Sequence, residues 1–594
     1  MQPTTPSPRN SLTRIRIWYA LLLLACGLVV VRLFYLQVIR HDYYQKAALS
    51  GQLKEYEIPS QRGIIEVQDG DNVVPIVLNE IKYTLFADPK FIEDPEATAK
   101  AVAKAIGGEA VDYKGQMKTD SRYAVLAKKL TKEQKEAIDK LAEDDEDLWK
   151  GVGTREVPYR TYPQGSLAAQ LLGFVNDDGE GKYGLEEALD DDLKGTPGQL
   201  KAITDSRGVP LAANRDNTLL EPKPGDRLVL TIDIGMQQQL EDILKKSLDR
   251  ARSASGSAVI MEAHSGAIKA MANYPTYNPA EFFNVKSEDA GVFTNPAVDS
   301  PLEPGSIMKP LTVAAAIDYG VINKDSSYND PGKYVIDGVT VDNVESGGGG
   351  TRTIADILQL SLNTGATWML MQMGGGQVNS QARTRWYDYM SDRYRFGKAV
   401  GVEQGYEASG TVPDPNEGFG LNIRFANTAF GQGMSTTLLQ LAGAYSAVLN
   451  GGTYFQPHLV DRTIGADGVT TKTPLTVVRE NVVKPGTSTS VRQLMEYVME
   501  RNHANYGLRV LRPEYSIGGK TGTAQYVQPG GGYYADRFHG TFAGFVGGNE
   551  AQYVIIVRVN DPRIGGYAGA KAAGPLFSDL AVMLIDNFGV TPKQ

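Results

Sequence analysis

The sequence predicts an α+β protein: one membrane-crossing helix at the N-terminus, a mixed region of strands and charged helices, then a larger domain in which helices flank an antiparallel sheet. Three observations carry this reading. Residues 17–31, IWYALLLLACGLVVV, are fifteen apolar or small residues without a charge. Between about 40 and 225, short strand-like runs alternate with amphipathic helical ones. Beyond 225, hairpin-like strand patterns stand at both ends of a long helical stretch, the pattern of a sheet covered by helices.

The N-terminal element is justified first. Residues 1–16 carry Arg9, Arg14 and Arg16 and no acid. Arg32 interrupts the apolar run, which resumes as LFYLQVI to Ile39. A span needs about 20 residues. Arg32 can snorkel, and Trp18, Tyr19 and Tyr35 suit the membrane interface, so 17–39 is read as a transmembrane helix. The basic flank places residues 1–16 in the cytoplasm and the bulk of the chain outside the plasma membrane. A cleaved signal peptide wants a small-x-small site that VVVRLFYLQ does not offer. A lipoprotein signal ending at Cys26, the only cysteine, wants a polar sequence after it. With one cysteine there is no internal disulfide, so the outer part must hold by packing.

Between 40 and 225, ATAKAVAKAIGG and TKEQKEAIDKLAEDDEDLWKG read as surface helices stopped by Gly, with Glu143–Asp147 a solvated acidic face. EGKYGLEEALDDDLKGTPGQ reads as another short helix. LLEPKPGDRLVLTID passes from linker to strand, which sets a boundary near 225 and a second domain over 226–594. There, GSAVIMEAHSGAIKAMANYP reads as a hairpin around His264-Ser265-Gly266. Helices fill much of 306–500, strands return with KTGTAQYV, GTFAGFVGG and QYVIIVRVND, and a helix through GPLFSDLAVMLIDNF closes the domain. At 594 residues one core is not enough. A net charge of −9, from 60 basic and 69 acidic residues, argues against nucleic acid as a partner. The five histidines are scattered, with no His-x-x-x-His or cysteine pair, which argues against a metal; no cofactor is expected. His264 and His539 read as structural.

Three short motifs carry chemistry. In PLEPGSIMKPLTVAAAIDYG, Pro304-Gly305 precedes a helical pattern and Pro310 falls in its first turn. Ser306 therefore sits at a helix N-terminus with Lys309 one turn on, on the same face. A serine hydroxyl needs a base to become a nucleophile, and a lysine can be that base if desolvation or a nearby cation keeps it neutral. Alone, Ser-x-x-Lys is a weak pattern that more often marks a capping serine and a solvated lysine. LQLSLNTGATWML then places Ser361 and Asn363 in apolar surroundings, where polar side chains need a partner. The competing Ser327-Tyr328-Asn329 lies in a polar, Pro-containing stretch read as a loop. YSIGGKTGTAQYV offers the charge of Lys520, the hydroxyls of Thr521 and Thr523, and Gly522, whose missing side chain lets another backbone approach the strand. A phosphate-binding loop would need Gly where Glu514 stands.

Ser-x-x-Lys, Ser-x-Asn and Lys-Thr-Gly in this order are the motif set of penicillin-binding proteins and class A β-lactamases. The chain resembles a class B penicillin-binding protein, a monofunctional peptidoglycan D,D-transpeptidase. GSAVIMEAHSGAIKAMANYPTYNP, TAFGQGMSTTLLQLAGAYSAVLNGG and YPQGSLAAQLLGFVNDDGEGKYGLEEALDDDLKGTPG resemble the family's corresponding segments, and FHGTFAGFVGG is closer to the division-specific (penicillin-binding protein 3) type than to the elongation type. The family's Arg-Gly-x-Ile-x-Asp-Arg-x-Gly reads RGIIEVQDG here, without its Asp-Arg, and Leu362 stands where the division type more often has Ser.

The resemblance implies an elongated pedestal (dimerisation-like) domain over 40–225 and a β-lactamase-like transpeptidase domain over 226–594. It implies that Ser306 attacks the penultimate D-Ala of a stem pentapeptide with Lys309 as base, and that backbone N–H groups of Ser306 and Thr523 hold the oxyanion. Ser361, Asn363 and Lys520 complete the catalytic set; Thr521, Gly522 and Thr523 bind substrate. D-Ala-D-Ala stem peptides, β-lactams as covalent inhibitors, a SEDS-type glycan polymerase and division-complex proteins are the implied partners, in septal cell-wall synthesis. A D,D-carboxypeptidase or β-lactamase of the same fold, in which EGFGLN (Glu417–Asn422) would supply a deacylating acid, is the rival reading. A non-catalytic cell-wall scaffold is the other.

Overall fold

The structure is a computed structural model describing residues 9–41, 43–44, 53–118, 123–203, 218–344, 349–508, 512–528 and 532–594. Residues 1–8 of the expected cytoplasmic tail lie outside the described residues. Two compact units emerge. One comprises Met1–Ser60, Ile81–Val157 and Thr196–Lys223; the other comprises Gln61–Glu80, Pro158–Gly195 and Pro224–Gln594.

In the first unit, a helix runs over Arg9–Phe34 and continues as a π-helical turn over Tyr35–Ile39. Thr13–Ile39, 27 residues containing an 18-residue window of mean hydropathy 2.3, is long and apolar enough to cross a membrane. The guanidinium of Arg32 lies 5.5 Å from the centre of the Tyr35 ring, a cation–π pair that suits a headgroup boundary. A small core of Leu85, Val102, Leu126, Ile138 and Trp149 is built from Tyr83–Ala87 paired with Ala124–Leu130 and from helices Pro95–Ile106 and Lys132–Asp144. Gly107 stops the first helix, as the sequence predicts, and Asp94 caps its start. The second ends at Asp144, before the expected Gly stop at Gly151, because its acidic tail has no apolar face left to bury.

The second unit holds the larger core. Ile65–Asp69 pairs in parallel with Arg227–Asp233 and antiparallel with the strand beginning at Asn72. Although the Asp-Arg of the family pattern is missing, Arg62 is bound: Nε donates to Glu186 at 2.6 Å and Nη1 to Asp190 at 2.7 Å. The expected single helix near 184–193 is two short ones, Gly184–Ala188 and Asp190–Leu193. The elements that matter for the site are, in chain order, α1 (Ile234–Ala251), β1 (Ser255–Glu262), β2 (Ile268–Tyr274), α2 (Lys309–Asp318), α3 (Asn363–Met373), α4 (Leu438–Leu449), α5 (Pro485–Asn502), β3 (Ser516–Val527), β4 (Tyr533–Gly547), β5 (Ala551–Asn560) and α6 (Gly574–Asn587). The strands form one antiparallel sheet in the order β2-β1-β5-β4-β3. Strands distant in sequence thus share the sheet, and β3, the Lys-Thr-Gly strand, lies at its edge.

Burial explains the helices. All twelve residues of α4 are buried, which is why it reads as apolar all round. In α2 every residue except Ile317 is buried, including Lys309. Ser327–Asp330 differs from expectation. It is a strand paired with Gly350–Thr353, not a loop, because Tyr328 is buried and stacks on Trp368 with ring centres 5.0 Å apart.

Candidate active site

Ser306 occupies a 3₁₀ turn, Gly305–Met308, that leads into α2 at Lys309. In a 3₁₀ turn residues three apart eclipse, so the Ser306 and Lys309 side chains align more closely than an α-helix would allow. Lys309 Nζ is 2.9 Å from Ser306 Oγ. Gly305 has φ +61° and sits so close to β3 that a Cβ there would lie 3.2 Å from the Thr523 carbonyl oxygen. That position needs glycine for both reasons.

Ser361 is held at φ +59° in the turn between helix Ile354–Gln359 and α3. A serine in the left-handed region is uncommon, and such strain gathers at functional sites. The turn aims both the Ser361 carbonyl and its hydroxyl at Lys309, 2.6 and 3.1 Å from Nζ. Asn363 Oδ1 is 2.9 Å from the same Nζ, while Asn363 Nδ2 donates to the Asp342 carbonyl. From the other side Lys520 Nζ reaches Ser361 Oγ at 3.0 Å and the Thr521 carbonyl at 2.9 Å. Ser361 Oγ therefore bridges two lysines, and all five expected catalytic side chains converge. They come from three segments of chain.

Both lysines are almost wholly buried, Lys309 at 0% and Lys520 at 1% exposure. Burial, and after it the positive charge of Lys520, holds Lys309 well below the ordinary lysine range. Burial pulls Lys520 down to about 7. A neutral amine has two N–H donors and one lone pair. Lys309 can thus donate to the Ser361 carbonyl and Asn363 Oδ1 while its lone pair faces the Ser306 hydroxyl. An ammonium would have no lone pair to offer.

Gly522 is the second position where glycine is required. A Cβ would meet Thr541 Oγ1 at 2.3 Å and the Pro304 carbonyl at 2.9 Å, so its absence lets the Ser306 segment lie against β3. Thr523 Oγ1 accepts from the Gly569 N–H at 3.0 Å, which leaves its own O–H free to donate. Gly-Lys-Thr lies within a strand, not in the loop before a helix that phosphate binding needs.

Sequence reasoning missed several supports. The Tyr445 hydroxyl on α4 donates to the Ile307 carbonyl, and Gly305 N–H donates to the Gly431 carbonyl at 2.9 Å. The Gly-x-Gly spacing before α4 was the available signal for the second contact; nothing in sequence marked the first. His539 is buried, stacks on Tyr526 with ring centres 3.7 Å apart and meets Asn560 through Nδ1. Burial, with Arg558 next, lowers its pKa to about 3, so it is a neutral structural ring. His264 lies in the β1–β2 turn, Nε2 3.4 Å from Glu550. Glu417, the acid a hydrolase reading needs, is exposed, and its N–H donates to Asp414.

Residues 256–581 match the penicillin binding protein transpeptidase domain, and residues 57–230 match the penicillin-binding protein dimerisation domain. Over 97% of this chain and 85% of the relative, it is 31% identical to penicillin-binding protein PbpB of Mycobacterium tuberculosis. The chain belongs to the class B penicillin-binding proteins. It is a peptidoglycan D,D-transpeptidase, and its N-terminal helix is the one helix among the described residues that is long and apolar enough to cross a membrane. Peptidoglycan D,D-transpeptidase FtsI of Escherichia coli K12 is 27% identical over 96% of this chain and 91% of its own. The crystal structure of penicillin binding protein 3 of Mycobacterium tuberculosis, complexed with aztreonam, matches with a TM-score of 0.67 at 27% identity, covering 90% of this chain and 98% of that one. The β-lactamase-like transpeptidase fold expected from the motifs is the fold of this penicillin-binding protein.

Proposed function

We propose that this penicillin-binding protein cross-links stem peptides at the division septum through an acyl-enzyme on Ser306. The reading rests on one observation: a fully buried Lys309 amine, held below its ordinary pKa, 2.9 Å from the Ser306 hydroxyl. Ser306 Oγ attacks the carbonyl of the penultimate D-Ala, and its proton passes to Lys309. The oxyanion is held by the N–H groups of Ser306 and Thr523. Ser361 relays the proton to the departing D-Ala amine, with Lys520 polarising the Ser361 hydroxyl. Asn363 orients Lys309 and keeps one N–H for the peptide. Thr521 and Thr523 hydroxyls, on the strand bared at Gly522, take the terminal carboxylate. The acyl group then passes to an amine of a neighbouring stem peptide. β-Lactams stop at the acyl-enzyme.

The septal assignment is supported by the division-type relatives and by FHGTFAGFVGG after β3. The domain limits proposed are a cytoplasmic tail over 1–16, a transmembrane helix over 17–39, a pedestal over 40–225 and the transpeptidase domain over 226–594. The basic flank supports a cytoplasmic N-terminus. The pedestal and the anchor suit docking to a SEDS-type polymerase and other division proteins in the membrane. Incubating the full chain with stem pentapeptide and an amine acceptor tests the activity. Cross-linked product with release of D-Ala is expected from wild type and none from Ser306→Ala; free tetrapeptide as the sole product would make it a hydrolase.

A further inference from the structure

Glu303 stands three residues before Ser306, half-buried, and acyl transfer to Ser306 gives it nothing to do. The Gly433 N–H donates to its Oε1 at 2.8 Å. The Tyr533 hydroxyl lies 3.0 Å from both of its carboxylate oxygens. Gly433 belongs to the same short loop as Gly431, whose carbonyl binds Gly305, and Tyr533 opens β4, the partner of the Lys520 strand. The carboxylate is thus fixed where three elements framing the nucleophile meet.

Its charge is the anomaly. Among the described residues no cation offsets it; burial raises its pKa and only two neutral donors act the other way. A glutamine would accept from the same two donors with no charge to desolvate, so the acid is the costlier choice for a mere clamp. An unneutralised, partly buried carboxylate three residues from a nucleophile, bound to the elements that frame it, implies a cation that arrives from outside. The cleft's own lysines are turned to Ser306 and Ser361. The D-Ala end of the donor is an anion, of the wrong sign. The acceptor is an amine, protonated at neutral pH when its pKa is near that of a lysine side chain.

We infer that Glu303 is the counter-ion that docks the ammonium group of the acceptor stem peptide beside the acyl-enzyme. This rests on the reading of Ser306 as the acylated residue and gives that same site its specificity for a cationic acceptor. Binding is what is assigned to Glu303; the ammonium sheds two protons as the amide forms, one passing to the Lys309 amine, which hands it to Ser306 Oγ as the ester breaks, and the other leaving to solvent.

The test uses the full chain in detergent with a stem-peptide thioester donor. Two nucleophiles are compared: a stem tripeptide carrying a free side-chain amine, and hydroxylamine, which is neutral at pH 7.5. In Glu303→Gln the acceptor concentration for half-maximal product is expected to rise about tenfold, the loss of one partly exposed ion pair. Benzylpenicillin acylation and transfer to hydroxylamine are expected within about twofold of wild type. Tyr533→Phe keeps the charge, and its acceptor response is expected within about threefold. An unchanged acceptor response in Glu303→Gln overturns the inference. So does a parallel loss of acylation, hydroxylamine transfer and acceptor use, which would make Glu303 a clamp only. Failure of wild type to be acylated by benzylpenicillin would instead strike the reading of Ser306 beneath it.

Discussion

If Lys309 is neutral in the fold, folding must release its proton, and stability must report that release. Consider Lys309→Met, which keeps the length of the side chain and removes the amine. In the unfolded wild type Lys309 titrates near 10.5 and holds one proton at neutral pH. In the folded protein burial, and after it Lys520, lowers its pKa well below that, and on the neutral-base reading it holds none. The unfolded state binds more protons, so wild-type stability rises with pH through this window, by about 1.4 kcal/mol per pH unit relative to the variant. Between pH 7.5 and 9 the gap between wild type and Lys309→Met should therefore shift by about 2 kcal/mol in favour of wild type. Groups common to both proteins cancel in the difference. Urea unfolding of the full chain in detergent at four pH values reads it. Acylation by a fluorescent penicillin, measured alongside, should fall by about 10²–10⁴ in the variant. A stability gap that does not move with pH would mean that Lys309 stays protonated in the fold, and the neutral-base argument would be wrong.

Three further outcomes follow from the geometry. Gly522→Ala drives a methyl into Thr541 Oγ1 and the Pro304 carbonyl, so thermal unfolding should show a loss of about 1–3 kcal/mol and acylation should fall at least about tenfold. Lys520→Gln removes the second cause that lowers Lys309; with that charge gone Lys309 regains basicity, and the acid limb of the acylation profile should move up in pH. Arg62→Ala leaves Glu186, itself 0% exposed, with Arg160 alone, and should cost about 3 kcal/mol in thermal stability while benzylpenicillin still acylates the folded fraction.

The parts of the site visible in sequence are those whose chemistry is local. Ser306 and Lys309 could be paired from spacing alone, although the 3₁₀ turn that aligns them could not. Ser361 was separable from Ser327 because polar side chains in an apolar run need partners, and it has two. What stayed hidden depends on contacts distant in sequence. Glu303 draws its meaning from Gly433 and Tyr533, 130 and 230 residues away. The interleaving of the two compact units was equally invisible, because Ile65 finds its strand partner at Leu228, far along the chain. The strand at Ser327–Asp330 was misread as a loop since its polar sequence conceals one buried tyrosine.

The most direct test of the central claim is where a penicillin becomes attached. After brief reaction of the full chain with benzylpenicillin, digestion and mass spectrometry should find the added mass on a single peptide, the one carrying Ser306, and Ser306→Ala should carry none. Added mass on any other serine, or an unmodified wild-type chain, would contradict the account.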